Sequence, residues 1–163
     1  MREGRKMKKV LGRIYTIIMA LIIALGLAFI ILCAFGIVTV VRGNGPSMEP
    51  TLKDGERYLM IKVDLENIKR GDIIGAELSD GTRVTKRVIG LPGDKIEIYH
   101  HCIFVNDKTA EPYIEEQDWN GSGVYDGIMV LKEDQFYLMG DNRNETWCGI
   151  ITGEQITGKV IGK

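Results

Sequence analysis

Residues 72–91 read DIIGAELSDGTRVTKRVIGL and decide the class of fold. Segments 72–78 and 82–91 are rich in aliphatic and β-branched residues, which favour extended strands. Ser79, Asp80 and Gly81 lie between them, a combination typical of the tight turn of a hairpin. The stretch therefore predicts two antiparallel strands joined by a short turn.

Similar short stretches recur along the chain after residue 41. They lie at residues 58–63, 95–99, 102–105, 128–131, 135–139 and 157–161. Strong helical periodicity is absent from this part of the sequence, and residues 106–127, rich in Asn, Asp, Glu and Gly, predict a long loop. We therefore expect residues 42–163 to form a small all-β domain of barrel or sandwich type.

A single uncharged run precedes this domain. Residues 14–41 read IYTIIMALIIALGLAFIILCAFGIVTVV, 28 residues without a charged side chain. About 20 apolar residues suffice for a helix to cross a bilayer. A cleaved signal peptide has an apolar stretch of only about 7–15 residues and a small-residue cleavage site. The run is longer than that and ends without such a site, so it predicts a retained transmembrane helix.

Charge is segregated between the segments. Residues 1–13 hold six basic side chains and one acidic one, and residues 42–163 hold 15 basic and 21 acidic ones. The basic flank favours a cytoplasmic N-terminus, with the β domain outside the cytoplasm. An acidic domain without a basic stripe is a poor nucleic-acid binder, so we expect no nucleic-acid partner. Three cysteines do not make a disulfide framework.

The first candidate functional residue is a serine just after the apolar run. Residues 45–52 read GPSMEPTL, in which two prolines and a glycine favour a defined, non-helical backbone around Ser47. From this segment alone, Ser47 could equally be a linker residue. A serine hydroxyl is a weak nucleophile and needs a base.

Lys86 is a candidate for that base. Alternation along the predicted strand 82–91 places Val84, Lys86 and Val88 on one face, where apolar neighbours would desolvate the ammonium and lower its pKa. Arg87 projects to the other face, where we expect a structural ion pair. The alternative interpretation of Lys86 is an edge-strand lysine that discourages aggregation.

A third candidate follows the predicted strand 135–139. Residues 139–146 read MGDNRNET, and glycine followed by Asp-Asn suits a tight turn whose side chains brace neighbouring loops. By itself the segment could equally be a turn that carries a surface salt bridge.

Together these segments match one family. In four motifs, and in their order after a membrane span, the chain resembles type I signal peptidase (leader peptidase). The motifs are GPSMEPTL at 45–52, RGDII at 70–74, KRVIGLPGD at 86–94 and GDNR at 140–143. The single membrane anchor is similar to that of the small Gram-positive members of the family. The lysine at position 86 is similar to the catalytic lysine of the branch with a Ser–Lys dyad. The resemblance extends over the whole chain.

The resemblance implies a membrane-bound serine endopeptidase. Ser47 would be the nucleophile and Lys86 the general base, acting through an acyl-enzyme, and Met48 and Pro50 would contact substrate. The substrates would be exported preproteins, cut after small-x-small sites. The partners would be these preproteins and the lipid bilayer, the protein would be monomeric, and no metal or organic cofactor is implied.

The resemblance also implies supporting residues. The Ser47 backbone N–H would stabilise the oxyanion, the Thr146 hydroxyl would orient the lysine, and Asp141 and Arg143 would brace the site. The sequence also departs from the family pattern. Gly45 replaces a hydroxyl residue that supplies a second oxyanion donor in part of the family.

A further departure follows Thr146. Cys148 and Ile150 stand where the family has an aspartate and its arginine partner, so this bracing pair is lost together. A catalytically silent homologue that assembles or binds surface proteins is therefore an alternative. A second alternative is a self-cleaving repressor-type Ser–Lys protease, which the membrane anchor disfavours. A third is an anchored β domain without catalytic function.

Two further features carry no expected function. Adjacent strand residues point to opposite faces, so His100, His101 and Cys102 do not predict a metal site. The sequence does not place Cys102 near Cys148, so we expect no disulfide between them.

Overall fold

A computed structural model of the chain describes residues 2–99, 102–109 and 126–162. These residues form two compact units, of which the first ends at Val38 and the second begins at Thr39. The first unit is a helix, and the second consists of strands and two short 3-10 turns. The predicted class, mainly β with one N-terminal apolar helix, is confirmed.

Helix α1 spans Arg2–Ala34. Its part from Lys9 to Ala34, 26 residues, is long and apolar enough to cross a membrane. At 1.5 Å per residue this part measures about 39 Å, against a hydrocarbon core of about 30 Å. Its large side chains, such as Leu25, are exposed, as lipid-facing side chains would be.

The predicted transmembrane range 14–41 is too long at its C-terminal end, because α1 stops at Ala34. Gly36 adopts a positive φ of 67° and its N–H donates to the Cys33 carbonyl at 3.0 Å, while the Ile37 N–H donates to the Leu32 carbonyl at 3.0 Å. This pair of bonds is the Schellman motif that ends many helices at a glycine. Residues 38–42 then form a strand.

Two sheets make up the second unit. The seven-stranded sheet has the order β1-β2-β11-β3-β4-β9-β10, and the four-stranded sheet has the order β7-β6-β5-β8. The strands are β1 Val38–Arg42, β2 Arg57–Ile61, β3 Ile73–Glu77, β4 Arg83–Gly90, β5 Lys95–Tyr99, β6 Cys102–Val105, β7 Lys108–Thr109, β8 Gly127–Val130, β9 Gln135–Met139, β10 Cys148–Thr152 and β11 Ile156–Gly162. The 3-10 turns are Leu65–Asn67 and Gly153–Gln155.

The predicted hairpin is confirmed as β3 and β4. They pair antiparallel with Ile74 opposite Lys86, and the Leu78 N–H donates to the Thr82 carbonyl across the turn at 2.8 Å. Gly81 adopts a positive φ of 83° in this turn, a conformation that favours glycine. This hairpin puts Lys86 near the middle of the larger sheet.

Three strands were not predicted. β1 falls in the apolar run, β7 lies at the start of the predicted loop 106–127, and β10 follows the turn after β9. Residues 110–125 of that loop lie outside the described residues, as do His100 and His101. Cys102 and Cys148 are both free thiols.

Apolar side chains pack in three clusters. One lies between the smaller sheet and β9, and one lies on β3, β4 and β9 around Ile74 and Leu138. The third consists of Met48, Leu52, Tyr58 and Met60. This third cluster anchors the segment that carries Ser47, because Met48 and Leu52 are buried on either side of an exposed turn.

Candidate active site

The loop between β1 and β2 holds Ser47 in a fixed position. The Gly43 N–H donates to the Glu56 carbonyl at 2.8 Å, and the Gly55 N–H donates to the Gly43 carbonyl at 3.1 Å. The Gly45 N–H donates to the Asp54 carboxylate at 2.8 Å. These bonds tie the two ends of the loop together, which leaves Ser47 half-buried at its turn.

Lys86 approaches this serine from β4. Its Nζ lies 2.5 Å from Ser47 Oγ, and its side chain belongs to a residue only 4% exposed. Val84 and Val88 lie on the same face of the strand, as alternation predicted, and both pack in an apolar cluster. The structure therefore brings together the two residues that the sequence analysis paired.

Burial lowers the pKa of Lys86 from 10.5 to about 8, and the negative charge of Asp141 opposes part of this decrease. Desolvation disfavours the charged ammonium more than the neutral amine. A lysine with this pKa is partly neutral near pH 8, so its lone pair can accept the proton of a hydroxyl at hydrogen-bond distance. Ser47 and Lys86 have the geometry of a nucleophile and its base.

The turn after β9 supports the backbone of Ser47. The Asn142 N–H donates to the Ser47 carbonyl at 3.1 Å, and the Asn142 side-chain amide donates to the Pro46 carbonyl at 3.3 Å. A Cβ on Gly140 would lie 2.2 Å from the Ser47 carbonyl oxygen, so only glycine fits there. Within the described residues, the Ser47 N–H donates to no protein acceptor, which leaves it available to a substrate oxyanion.

Asp141 is buried beside the dyad and is paired with Arg87. The guanidinium makes two bonds to the carboxylate, from Nε to Oδ1 at 2.7 Å and from Nη2 to Oδ2. It also donates to the Gly71 carbonyl at 2.7 Å, and Thr51 Oγ1 donates to Asp141 Oδ2 at 2.5 Å. The ion pair expected for Arg87 is confirmed, and it fixes the turn after β9 against the Ser47 loop.

The other predicted supporting residues have different partners. The Thr146 hydroxyl accepts the Gly140 N–H at 2.9 Å and donates to the Trp147 carbonyl at 2.9 Å. Its hydrogen bonds in the described part of the chain do not include Lys86, so its expected role in orienting the lysine is not seen. Arg143 donates to the Gly140 carbonyl at 3.3 Å. Both side chains therefore shape the turn after β9.

A groove of about 340 Å³ runs beside the dyad, and we call it the dyad groove. Its lining residues are Val41, Arg42, Gly43, Asn44, Gly45, Ser47, Met48, Leu52, Lys53, Tyr58, Arg83, Val84, Thr85 and Lys86. Met48 lies in this lining, whereas Pro50 does not and is exposed. The substrate contact expected of Pro50 is therefore not supported by its position.

Cys148 and Ile150, which stand where the family has an aspartate–arginine pair, do not form a bracing pair in this structure. Cys148 is half-buried and packs against an apolar cluster beside Tyr137, whose pKa is raised by burial and by its hydrogen bond to Cys148. Ile150 is 41% exposed on the edge strand β10. Among the residues that the structure describes, no group of three potential metal ligands lies together.

Sequence reasoning missed two residues of the site. Thr51 joins the Arg87–Asp141 pair, and Tyr58 shares a hydrogen bond with Thr85 at 2.7 Å in the dyad groove. The only signal for Thr51 was its place inside the motif GPSMEPTL. Asn142 braces the Ser47 loop through its side-chain amide, as the Asp-Asn turn predicted.

Known proteins resemble this chain along most of its length. The family model "Signal peptidase, peptidase S26" matches residues 14–162. Signal peptidase IB of Staphylococcus aureus is 33% identical over 162 residues, which cover 85% of this chain and 85% of that relative. Signal peptidase I P of Bacillus subtilis subsp. natto is 38% identical over 133 residues, 71% of this chain and 70% of that relative. A crystal structure of a signal peptidase I from Enterococcus faecalis V583 has a TM-score of 0.46 at 22% identity, with 58% of this chain and 97% of that chain covered.

Proposed function

Since the chain belongs to the signal peptidase family, peptidase S26, and is a serine peptidase, we propose that it cleaves signal peptides from exported preproteins with Ser47 and Lys86 as a catalytic dyad. The observation that carries this proposal is the 2.5 Å distance between Lys86 Nζ and Ser47 Oγ. The burial that lowers the pKa of Lys86 to about 8 supports its role as the base.

Acylation begins with the neutral amine of Lys86. It accepts the proton of the Ser47 hydroxyl as Oγ attacks the scissile carbonyl carbon. The Ser47 N–H donates to the oxyanion that develops. The peptide C–N bond then breaks, the Lys86 ammonium returns its proton to the leaving amine, and the mature protein departs with a new N-terminus. The signal peptide remains as an ester on Ser47.

Deacylation uses the same two residues. A water molecule attacks the ester carbon while Lys86 accepts one of its protons. The ester C–O bond breaks, and the proton passes from Lys86 to Ser47 Oγ. The signal peptide leaves as a carboxylic acid, which ionises to a carboxylate by releasing its proton to solvent. The dyad returns to its starting state. All catalytic groups come from one chain, so a monomer suffices.

The substrate's residues before the scissile bond lie in the dyad groove. The floor of the groove is apolar where Met48, Leu52 and Tyr58 line it. Tyr58 and Thr85 both line the groove and are hydrogen-bonded to each other. In the proposed binding mode, the small side chains at the first and third positions before the bond lie on this apolar floor.

The apolar helix anchors the protein in the same membrane as its substrate. The six basic side chains of residues 1–13 favour the cytoplasmic side for the N-terminus, which puts the peptidase domain outside the cytoplasm. A signal peptide also occupies the bilayer through its apolar segment. Confinement of both partners to one membrane raises their effective concentration.

Processing of a preprotein in liposomes tests this proposal. The substrate carries one Ala-x-Ala site, and the proteins are wild type, Ser47→Ala and the matched control Ser79→Ala, which changes an exposed serine of the hairpin turn. We expect wild type and the control to release a product that begins directly after the site, and Ser47→Ala to release none. A folded wild-type protein that cuts no preprotein would instead favour a silent homologue.

A further inference from the structure

The dyad groove carries cationic side chains at its rim. Arg42, Lys53 and Arg83 all line it, and within the described part of the chain no Asp or Glu is among its lining residues. All three belong to exposed residues, so their charged ends are accessible to solvent. A peptide that lies in the groove therefore meets positive charge beside the dyad.

Arg42 and Lys53 lie on one wall of the groove. The backbone bonds of Gly43 to residues 55 and 56 hold the two segments side by side. Arg42 Nε donates to the Gly55 carbonyl at 3.3 Å, a neutral acceptor that leaves its charge uncompensated. In the described residues, the salt bridges include neither Arg42 nor Lys53. Glu56 lies close by and accepts a hydrogen bond from the Lys53 backbone N–H at 3.1 Å. Within this described part of the chain it makes no salt bridge to either side chain, so both positive charges can pair with a ligand.

Arg83 lines the groove from β4. It precedes Lys86 by three residues on β4, which places its Cα about 10 Å along the strand at 3.3 Å per residue. It pairs with Glu77 at 2.9 Å, and its side chain is 82% exposed. Exposed pairs of this kind contribute little energy, so Arg83 can exchange Glu77 for another carboxylate.

We propose that the dyad groove selects preproteins with an acidic side chain at the second or fourth residue before the scissile bond. The inference rests on the proposed function, which places the residues before the bond in this groove. In an extended peptide alternate side chains point to opposite sides. When the first and third side chains point to the apolar floor, the second and fourth point to the rim, where Arg42, Lys53 and Arg83 lie.

Quenched peptides and purified full-length protein in detergent test the proposal. The peptides share an Ala-x-Ala site and differ only by Glu, Gln or Lys at the second or fourth residue before the cut. We expect kcat/KM for Glu to exceed that for Lys by about twofold to fivefold at low salt, the size typical of exposed charge pairs. The preference should shrink in 0.5 M salt, because salt screens exposed charges.

Two variants separate this selection from a general effect of charge. Arg42→Glu/Lys53→Glu should reverse the preference, so that Lys peptides are cut faster than Glu peptides. Lys132→Glu, which changes an exposed lysine outside the groove lining, should retain it. Equal kcat/KM for Glu and Lys in wild type, or a preference that the double variant keeps, would overturn the inference.

Binding to Ser47→Ala, measured by fluorescence anisotropy, makes the test independent of catalysis. Tighter binding of the Glu peptide supports the inference even if wild type cuts nothing, a result that would refute the proposed function alone. Cleavage by wild type without any charge preference refutes the inference alone. Equal binding of all peptides together with absent cleavage refutes both.

Discussion

Acidification should inactivate the peptidase by protonating Lys86. Only the neutral amine accepts the proton of Ser47, and burial lowers the pKa of Lys86 to about 8. The neutral fraction is then about 1% at pH 6, about 9% at pH 7, about 50% at pH 8 and about 90% at pH 9. We therefore expect kcat/KM to rise nearly tenfold per pH unit between pH 6 and 7 and to level off above pH 9.

The assay uses full-length protein in detergent with a quenched Ala-x-Ala peptide far below KM, between pH 5.5 and 10.5 at constant ionic strength. Circular dichroism at each pH confirms that the domain stays folded. The Lys132→Met variant, which changes an exposed lysine, should show the same profile. A rate that does not change from pH 6 to 9 would refute a lysine base. A rise that continues past pH 10 would show that Lys86 keeps the ordinary pKa of 10.5 and that its burial has no effect on proton transfer.

Three substitutions extend these expectations. Lys86→Met should abolish cleavage yet stabilise the fold by about 2 kcal/mol at pH 7, because the cost of burying the charged ammonium exceeds the value of the lost hydrogen bond. This cost is present in full below pH 8 and disappears as the pH rises towards 10.5. Equal melting temperatures at pH 7 would contradict this expectation. Arg87→Met should destabilise the fold by about 3–5 kcal/mol in thermal unfolding, because it leaves the buried Asp141 carboxylate without its ion-pair partner. Adding Asp141→Leu to this variant should restore most of the lost stability. An Arg87→Met variant as stable as wild type would refute the pairing. Gly140→Ala should lower kcat at least tenfold, because its Cβ would lie 2.2 Å from the Ser47 carbonyl oxygen. The control Gly127→Ala should leave kcat unchanged, because a Cβ there has no neighbour within 4 Å. Equal rates for the two variants would contradict the close packing at Gly140.

The hairpin of β3 and β4 was predictable because its signals are local. Alternating side chains locate the strands, and residues 79–81 locate the turn between them. The same alternation put Lys86 on an apolar face, and the structure buries it there. Local patterns therefore gave the position and the environment of the lysine.

The end of the helix was harder to predict. β1 reads VTVVR, an apolar stretch that hydropathy alone joins to the membrane run. Gly36 and the β-branched residues after Ile37 were the only signals of a change in structure. The strand forms because β2 lies beside it in the sheet, and such tertiary pairing leaves little trace in one sequence.

The contacts within the site are long-range and needed more than pattern. Ser47 and Lys86 are 39 residues apart. The residue pattern offered the lysine as one candidate base, and the family resemblance was needed to pair it with the serine. Arg87 and Asp141 are 54 residues apart, so the sequence predicted an ion pair for the arginine without naming its partner. Thr146 was expected to contact the lysine, but its hydroxyl is taken up by the backbone of its own turn.

Covalent trapping of the signal peptide on Ser47 tests the central claim most directly. A peptide ester with an Ala-x-Ala sequence acylates faster than an amide, so that an ester intermediate accumulates, and acid quenching followed by tryptic mass spectrometry locates it. The account predicts the acyl group on the fragment 43–53 of wild type, and none in Ser47→Ala or Lys86→Met. An acyl group on any other residue, or hydrolysis of the ester by Ser47→Ala at the wild-type rate, would contradict it.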